Sequence, residues 1–200
     1  MLGINERRRL SKVLTVTGLL LAISLVILIY PPASEAKARK KFKQHKNPHF
    51  CLTEVYIDYF RVKPSLIETL AERIIYEEIP VVLFISQRTK TNPDILLNWR
   101  LGGANWLDIS LRLGLSPDIY YVPIPRQARV GPPFGNAYGY YRKRVPQARS
   151  ITLSNEDIIN LVLLRVVSDY FGLEPFRVIQ WRSAGKGFDQ IIIELRRKKD

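Results

Sequence analysis

The chain has 200 residues and carries 31 Lys and Arg against 18 Asp and Glu, so its formal net charge is +13 at neutral pH. Its single cysteine, Cys51, excludes an internal disulfide, and stability must come from a core that about 150 residues are able to bury. No metalloprotease motif, nucleophile elbow or phosphate-binding glycine loop occurs in it, so we expect neither a cofactor nor an enzymatic activity.

Residues 1–36 have the features of a targeting segment. Four basic residues between positions 7 and 12 precede an uncharged apolar run of 18 residues at 13–30, and small residues up to Ala36 suit cleavage after that position. A run of this length is long for a signal peptide and just sufficient to span a bilayer. The segment predicts export to the periplasm through a cleaved signal, and an uncleaved anchor in the inner membrane is the alternative.

A basic segment follows at 37–49, with six Lys and Arg and no acid. We expect it to be flexible, and such charge normally hinders export under the positive-inside rule. His45 and His49 of this segment have, together with Cys51, the spacing of three metal ligands. No fourth ligand is evident and the neighbouring lysines repel cations, so we predict no metal site.

Two stretches of the chain, 81–113 and 163–195, align without a gap. They share seven identities in 33 positions, where roughly two are expected from average composition. A third, weaker copy at 52–84 shares Asp-Tyr-Phe, followed two and four residues later by an aliphatic residue and a proline, with the last copy. Self-similarity at a period of about 30 residues usually marks a repeated supersecondary unit. The identical pairs are Ser86/Ser168, Pro93/Pro175, Trp99/Trp181, Arg100/Arg182, Gly103/Gly185, Ile109/Ile191 and Leu113/Leu195.

Each copy reads as three helices joined by two tight turns. The central proline suits the first turn of a helix, Asn92 is a good N-cap for the helix at Pro93, and apolar residues then recur at helical spacing. Gly103 and Gly185 supply left-handed stops, whereas the first copy has Ile74 at this position, so its second turn must differ.

The fold class predicted from these patterns is all-α. We expect an array of short helices built from about three helix-turn-helix repeats, the first two at 50–121 and the third at 151–195. Residues 52–57 are compatible with a short strand, but their match to the copy at 163–195 favours a helix. A capping box at 154–157 predicts the start of a long helix that continues to Gly172.

The aligned Trp-Arg pairs admit two interpretations. Trp99 and Trp181 are expected to pack between helices rather than to stack on a ligand. Nothing structural demands an arginine after the tryptophan, so Arg100 and Arg182 are retained as candidate binding residues. An ion pair, or a cap on a neighbouring helix, is the structural alternative for both arginines.

Residues 122–150 are predicted to form one long loop rich in proline, glycine and tyrosine, because they show neither a helical nor a strand pattern. They carry six bases and no acid. Interleaved aromatic and basic side chains suit an anionic partner, so the segment is the best candidate site; a cover folded over the helices is the alternative. The candidate binding residues are Arg126, Arg129, Phe134, Tyr138, Tyr140, Tyr141, Arg142, Lys143 and Arg144.

Residues 108–119 resemble the helix-turn-helix core of bacterial transcription regulators, with Ser110 at the small position and Gly114 at the turn. The resemblance implies DNA binding. Pro123 and Pro125 would end a recognition helix early, however, and 117–121 contains no base to contact DNA. The internal repeat also accounts for this turn, because Gly114 to Pro117 matches 172–175.

The positive charge is concentrated in appendages. Outside the termini, the segment 37–49 and the segment 122–150, eleven bases and fifteen acids remain, and 196–200 forms a basic tail. This distribution predicts an exported, non-enzymatic protein of the cell envelope that binds an anionic envelope component or an acidic protein, with a membrane surface as a further candidate. The alternative is a membrane-tethered or cytoplasmic nucleic-acid-binding protein that uses the helix-turn-helix-like segment; nucleic acid is the less favoured partner.

Overall fold

The computed structural model describes residues 50–142 and 152–197. The predicted targeting segment, the basic segment 37–49 and the end of the basic tail lie outside the described residues, as do Lys143 and Arg144. Within the two described ranges all regular structure is helical and no strand occurs, so the all-α prediction is confirmed. None of these described helices is both long enough and apolar enough to cross a bilayer.

Nine α-helices follow one another in the described ranges, with 3-10 helices at Tyr76–Glu78 and Pro117–Tyr120. The stretch 52–57 lies within the first of them, so the helical interpretation of that stretch is confirmed. The helices are α1 (Phe50–Phe60), α2 (Pro64–Ala71), α3 (Ile79–Thr89), α4 (Pro93–Leu101), α5 (Trp106–Arg112), α6 (Gly135–Arg142), α7 (Asn155–Phe171), α8 (Pro175–Ser183) and α9 (Phe188–Arg197).

Side-chain caps set the starts of several helices where the sequence predicts them. The side chain of Asn92 accepts a hydrogen bond from the backbone N–H of Asp94 at the start of α4. Ser154 and Asp157 form the predicted capping box at the start of α7. Each cap satisfies a backbone N–H that has no partner inside its helix and contributes on the order of 1 kcal/mol.

Glycine ends α4 and α8 at equivalent places. Gly103 has φ +93° and Gly185 has φ +89°. This conformation is energetically unfavourable for any residue that has a Cβ atom. The first copy, which lacks this glycine, turns differently: after α2 the chain enters the 3-10 helix Tyr76–Glu78 and then α3. The predicted difference in that turn is confirmed.

Helix α7 lies at the centre of the described fold. Ten of its 17 residues are buried, which is why its sequence is apolar on more than one face. It contacts α1, α3, α5, α6, α8 and α9. The core around it is completed by large side chains that are almost wholly buried, among them Trp106, Tyr56 and Phe84. Trp99 and Trp181 are half-buried and pack against this core.

The segment 122–150 is not one irregular loop, and the prediction of such a loop is wrong for residues 122–142. Helix α6 forms within it despite Gly135 and Gly139. Phe134 and Tyr138 are buried in the core, and packing of these two rings outweighs the low helix propensity of glycine. Residues 143–150 lie outside the described ranges.

Candidate anion-binding surface

Two tyrosine hydroxyls hold the segment 121–142 in place. Tyr138 donates a hydrogen bond to the carbonyl of Val122 at 2.7 Å, which closes the segment on itself. Tyr141 donates to the carbonyl of Pro117 at 2.9 Å, which joins α6 to the second 3-10 helix. The segment is therefore a fixed part of the surface of the described fold.

Two of the predicted binding residues are core residues. Phe134 is completely inaccessible and Tyr138 is 2% exposed, so neither ring is available to a ligand in solution. Sequence alone does not distinguish an aromatic residue that covers the core from one that binds a ligand. For these two rings the structure favours the cover.

The arginines of the segment remain at the surface. Arg126 and Arg129 are exposed, and neither pairs with a carboxylate among the described residues. Arg142 is exposed as well, and one of its Nη2 donors reaches the carbonyl of Ala128 at 2.5 Å. In contrast, Arg196 on α9 pairs with Glu54 of α1. The segment thus presents three positive charges with no described counter-charge.

The same segment carries a tyrosine cluster. The rings of Tyr121 and Tyr141 have centroids 4.9 Å apart, and those of Tyr140 and Tyr141 are 5.1 Å apart in an edge-to-face arrangement. Tyr121 is 38% exposed. Burial raises the pKa of Tyr141 well above its ordinary value, with the neighbouring Tyr140 as a second cause. The Tyr141 phenol is therefore neutral near pH 7, and its side chain is partly exposed.

We name this set of residues the basic tyrosine surface. Its aromatic faces offer stacking area, and its guanidinium groups offer paired N–H donors to oxyanions. It comprises Tyr121, Arg126, Arg129, Tyr140, Tyr141 and Arg142.

Arg100 is engaged inside the fold. Its Nε and Nη2 donate to the two carboxylate oxygens of Glu78 at 3.0 and 2.7 Å, a bidentate pair in which the Glu78 side chain is only 7% exposed. The guanidinium carbon also lies 5.7 Å from the ring centroid of Trp106. The structure thus places Arg100 in the predicted structural alternative, an ion pair.

Arg182 occupies the equivalent position in the last copy but has no carboxylate partner among the described residues. Its Nη1 donates to the carbonyl of Lys186 at 2.6 Å, and its Nη2 lies 3.4 Å from the amide oxygen of Asn160. Its Nε is buried without a partner. Burial lowers the pKa of Arg182, while Asp189 and Glu156 oppose that shift.

The helix-turn-helix-like stretch does not contain a second α-helix. After α5 the chain forms only the four-residue 3-10 helix Pro117–Tyr120. Tyr120 is buried, and its hydroxyl lies 2.5 Å from the hydroxyl of Ser110, which donates in turn to the carbonyl of Trp106. The small residue and the turn are therefore explained by internal packing.

Sequence reasoning missed a pair of arginines, Arg88 on α3 and Arg165 on α7. Both guanidinium groups lie over the ring of Phe84. The residues are far apart in the sequence and belong to no motif, so only the packing of α3 on α7 brings them together. No local signal marks them in advance.

In the described part of the chain, no group of three or more His, Cys, Asp and Glu side chains is placed to hold a metal ion. His45 and His49 lie outside that part. Comparisons with protein-family models, with curated proteins and with solved structures find no significant match to this chain.

Proposed function

We propose that this chain is an exported, non-enzymatic helical-repeat protein of the cell envelope that binds an anionic partner through its basic tyrosine surface and its basic arms. The observation that carries the proposal is the set of exposed arginines Arg126, Arg129 and Arg142, which have no carboxylate partner in the described ranges. The helical parts outside the appendages carry more acids than bases, so an anion meets attraction mainly at the appendages.

The scaffold of this proposal is a set of three related helix-turn-helix units. Its support is that α4 and α8 begin at equivalent prolines and that each has nine residues. Arg100 contacts Glu78, and Arg182 contacts Asn160, at the same sequence separation of 22 residues. Equivalent pairs of positions thus face each other in the two copies, as expected for a repeated unit, although the chemistry of the two contacts differs.

The preferred partner is an anionic envelope component, with a membrane surface containing anionic lipid as its simplest representative. Two observations support it over a folded acidic protein. The arginines are exposed on one segment of the described fold, and the sequence adds further basic residues before residue 50 and after residue 195. Such an arrangement gains about 1 kcal/mol for each base that reaches an anionic bilayer.

Cosedimentation of the full chain with vesicles tests this partner. Vesicles of phosphatidylcholine with phosphatidylglycerol should bind the protein, vesicles of phosphatidylcholine alone should not, and added salt should release it because exposed charges are screened. Equal binding to both vesicle types, or binding unaffected by salt, contradicts the proposal. Poly-glutamate in solution serves as a competitor that represents an acidic polypeptide.

Location is tested separately. A reporter that is active only outside the cytoplasm, fused after Asp200, should be active, and N-terminal sequencing of the mature protein should begin at residue 37 if the signal is cleaved. Activity with an intact N-terminus indicates the anchor. An inactive reporter in cells that produce the fusion in full rejects export.

A further inference from the structure

The guanidinium groups of Arg88 and Arg165 share one aromatic platform. The guanidinium carbon of Arg88 lies 3.5 Å from the centroid of the Phe84 ring, and that of Arg165 lies 5.6 Å from the same centroid. Phe84 is buried and its ring stacks on Tyr120 at 5.6 Å. The platform is thus held by the core, and it positions both cations.

Among the described residues these two positive charges have no paired counter-charge. Neither arginine forms an ion pair with a carboxylate among the described residues. Burial lowers the pKa of Arg88, and the positive charge of Arg165 lowers it further; the opposing groups are the phenols of Tyr59 and Tyr120. Asp169 accepts a hydrogen bond from Tyr59 nearby, but it pairs with neither arginine. Two like charges held close together favour the arrival of an anion.

Arg165 is fixed in place at this site, whereas the N–H donors of Arg88 are not used by the described residues. Nη2 of Arg165 donates to the carbonyls of Ile119 and Tyr121 at 3.0 and 2.7 Å, which fixes the side chain, and its buried Nε has no hydrogen-bond partner. Arg88 is exposed, and no described residue accepts a hydrogen bond from it. A guanidinium held flat on a ring keeps its edge N–H groups free to bind two oxygens of one ligand.

We propose that Arg88 and Arg165 form a binding site for a phosphate group. Arg88 supplies two parallel hydrogen bonds, and Arg165 supplies a second fixed positive charge. A phosphate suits the site better than a carboxylate because it carries about −1.5 to −2 near pH 7 and thereby balances both cations. The site uses none of the arginines of the basic tyrosine surface and stands independently of the function proposed above.

The test compares two matched arginine variants of the full chain. Arg88→Ala removes the side chain that is proposed to bind the phosphate. Arg112→Ala removes another exposed arginine, whose guanidinium carbon lies 4.8 Å from the centroid of the Trp99 ring, without a second described arginine over that ring. Each protein is melted in potassium phosphate and in potassium chloride at equal ionic strength, because a ligand that binds only the folded state raises the melting temperature. The Arg112 variant controls for loss of a cation–π contact.

Phosphate should stabilise the wild type and the Arg112 variant, and the Arg88 variant should bind it at least about tenfold more weakly. Equal phosphate stabilisation in the Arg88 and Arg112 variants overturns the proposal if the two variants also bind vesicles equally. A second arm uses vesicles with and without phosphatidic acid, whose headgroup is a phosphate monoester and carries more than one negative charge near pH 7. If Arg88→Ala weakens only vesicle binding, the phosphate belongs to a lipid headgroup; if it weakens only the response to inorganic phosphate, it belongs to a soluble ligand. An unchanged response in both arms rejects the site.

The triple substitution of Arg126, Arg129 and Arg142 by alanine separates the two proposals. It should leave the phosphate-dependent stabilisation intact, because the described guanidinium groups that lie over the Phe84 ring are those of Arg88 and Arg165. If it abolishes that stabilisation together with vesicle binding, the phosphate binds at the basic tyrosine surface, and the proposal for Arg88 and Arg165 is wrong.

Discussion

The hydroxyl of Tyr59 on α1 donates to Oδ2 of Asp169 on α7 at 2.9 Å. The same contact occurs with the copies exchanged, since Tyr170 donates to Oδ2 of Asp58 at 3.0 Å. In both copies the tyrosine also meets the next phenylalanine edge-to-face, with centroids 4.9 Å apart. The Asp-Tyr-Phe sequence shared by the first and third copies thus makes a reciprocal contact, of the kind found across two-fold symmetric interfaces.

This exchange predicts a measurable coupling. A double-mutant cycle of Tyr59→Phe and Asp169→Asn should give a coupling free energy of about 0.5–1.5 kcal/mol in chemical denaturation, the usual net value of a hydrogen bond. Tyr140→Phe is the control, because its hydroxyl bonds to no described residue. A coupling of zero for Tyr59 and Asp169 would show that the contact does not persist in solution.

Alkaline pH should destabilise the fold. Burial, followed by the hydrogen bond to Asp169, raises the pKa of Tyr59 to about 12, and burial raises that of Tyr120 to about 12. Because an unfolded tyrosine ionises near 10, the stabilisation is complete below about pH 10 and is lost as the pH rises towards about 12. The unfolding midpoint should therefore fall across this interval, and fall less in Tyr59→Phe. Identical slopes would be inconsistent with the raised pKa.

Arg100 and Arg182 predict opposite results for the residues that face them. Glu78→Gln should destabilise the protein by about 1–3 kcal/mol, since it breaks a pair with a buried carboxylate. Asn160→Glu should place a carboxylate beside Arg182 and should be more favourable with Arg182 present than in an Arg182→Ala background. Unfolding of the wild type and of these variants in urea measures both effects. The exposed pair of Lys186 and Glu194 is the control: Glu194→Gln should cost under about 1 kcal/mol.

If Glu78→Gln costs no more than Glu194→Gln, the bidentate pair does not stabilise the fold. A more favourable effect of Asn160→Glu in the Arg182→Ala background than with Arg182 present would show that the new carboxylate does not reach the guanidinium.

The segment 121–142 should behave as part of the core. Phe134→Ala removes a ring with no exposed area and should destabilise the protein by about 3–5 kcal/mol. Arg129→Ala, five residues earlier on the exposed side, should change stability by less than about 0.5 kcal/mol. Thermal unfolding of both variants decides the point. Similar small changes in both would mean that the segment is not packed on the body.

Local features of the fold were predictable from the sequence, and tertiary pairings were not. The caps at Asn92 and at 154–157 and the stop at Gly103 depend on a few adjacent residues, so their residue types suffice to predict them. The sequence predicts Phe134 and Tyr138 as binding residues, but aromatic residues among prolines and glycines suit ligand binding and core packing equally. Their burial depends on distant helices.

The candidate site was predictable only in its charge. Runs of bases without acids marked the segment that carries Arg126 and Arg129, and both are indeed exposed there. The place of Arg100 depended on Glu78, which no spacing rule connects to it. The pair of Arg88 and Arg165 depends on the contact of α3 with α7, so it could be found only from the folded chain.

The most direct measurement compares two variants of equal charge for binding to vesicles that contain phosphatidylglycerol. One variant replaces Arg126, Arg129 and Arg142 with alanine; the other replaces three exposed bases of the helical body, Lys63, Lys90 and Arg177. At about 1 kcal/mol per base near an anionic bilayer, the first should bind roughly 100-fold more weakly than the wild type, and the second within about threefold of it. Equal weakening in both would mean that net charge alone drives binding and would contradict the assignment of the basic tyrosine surface.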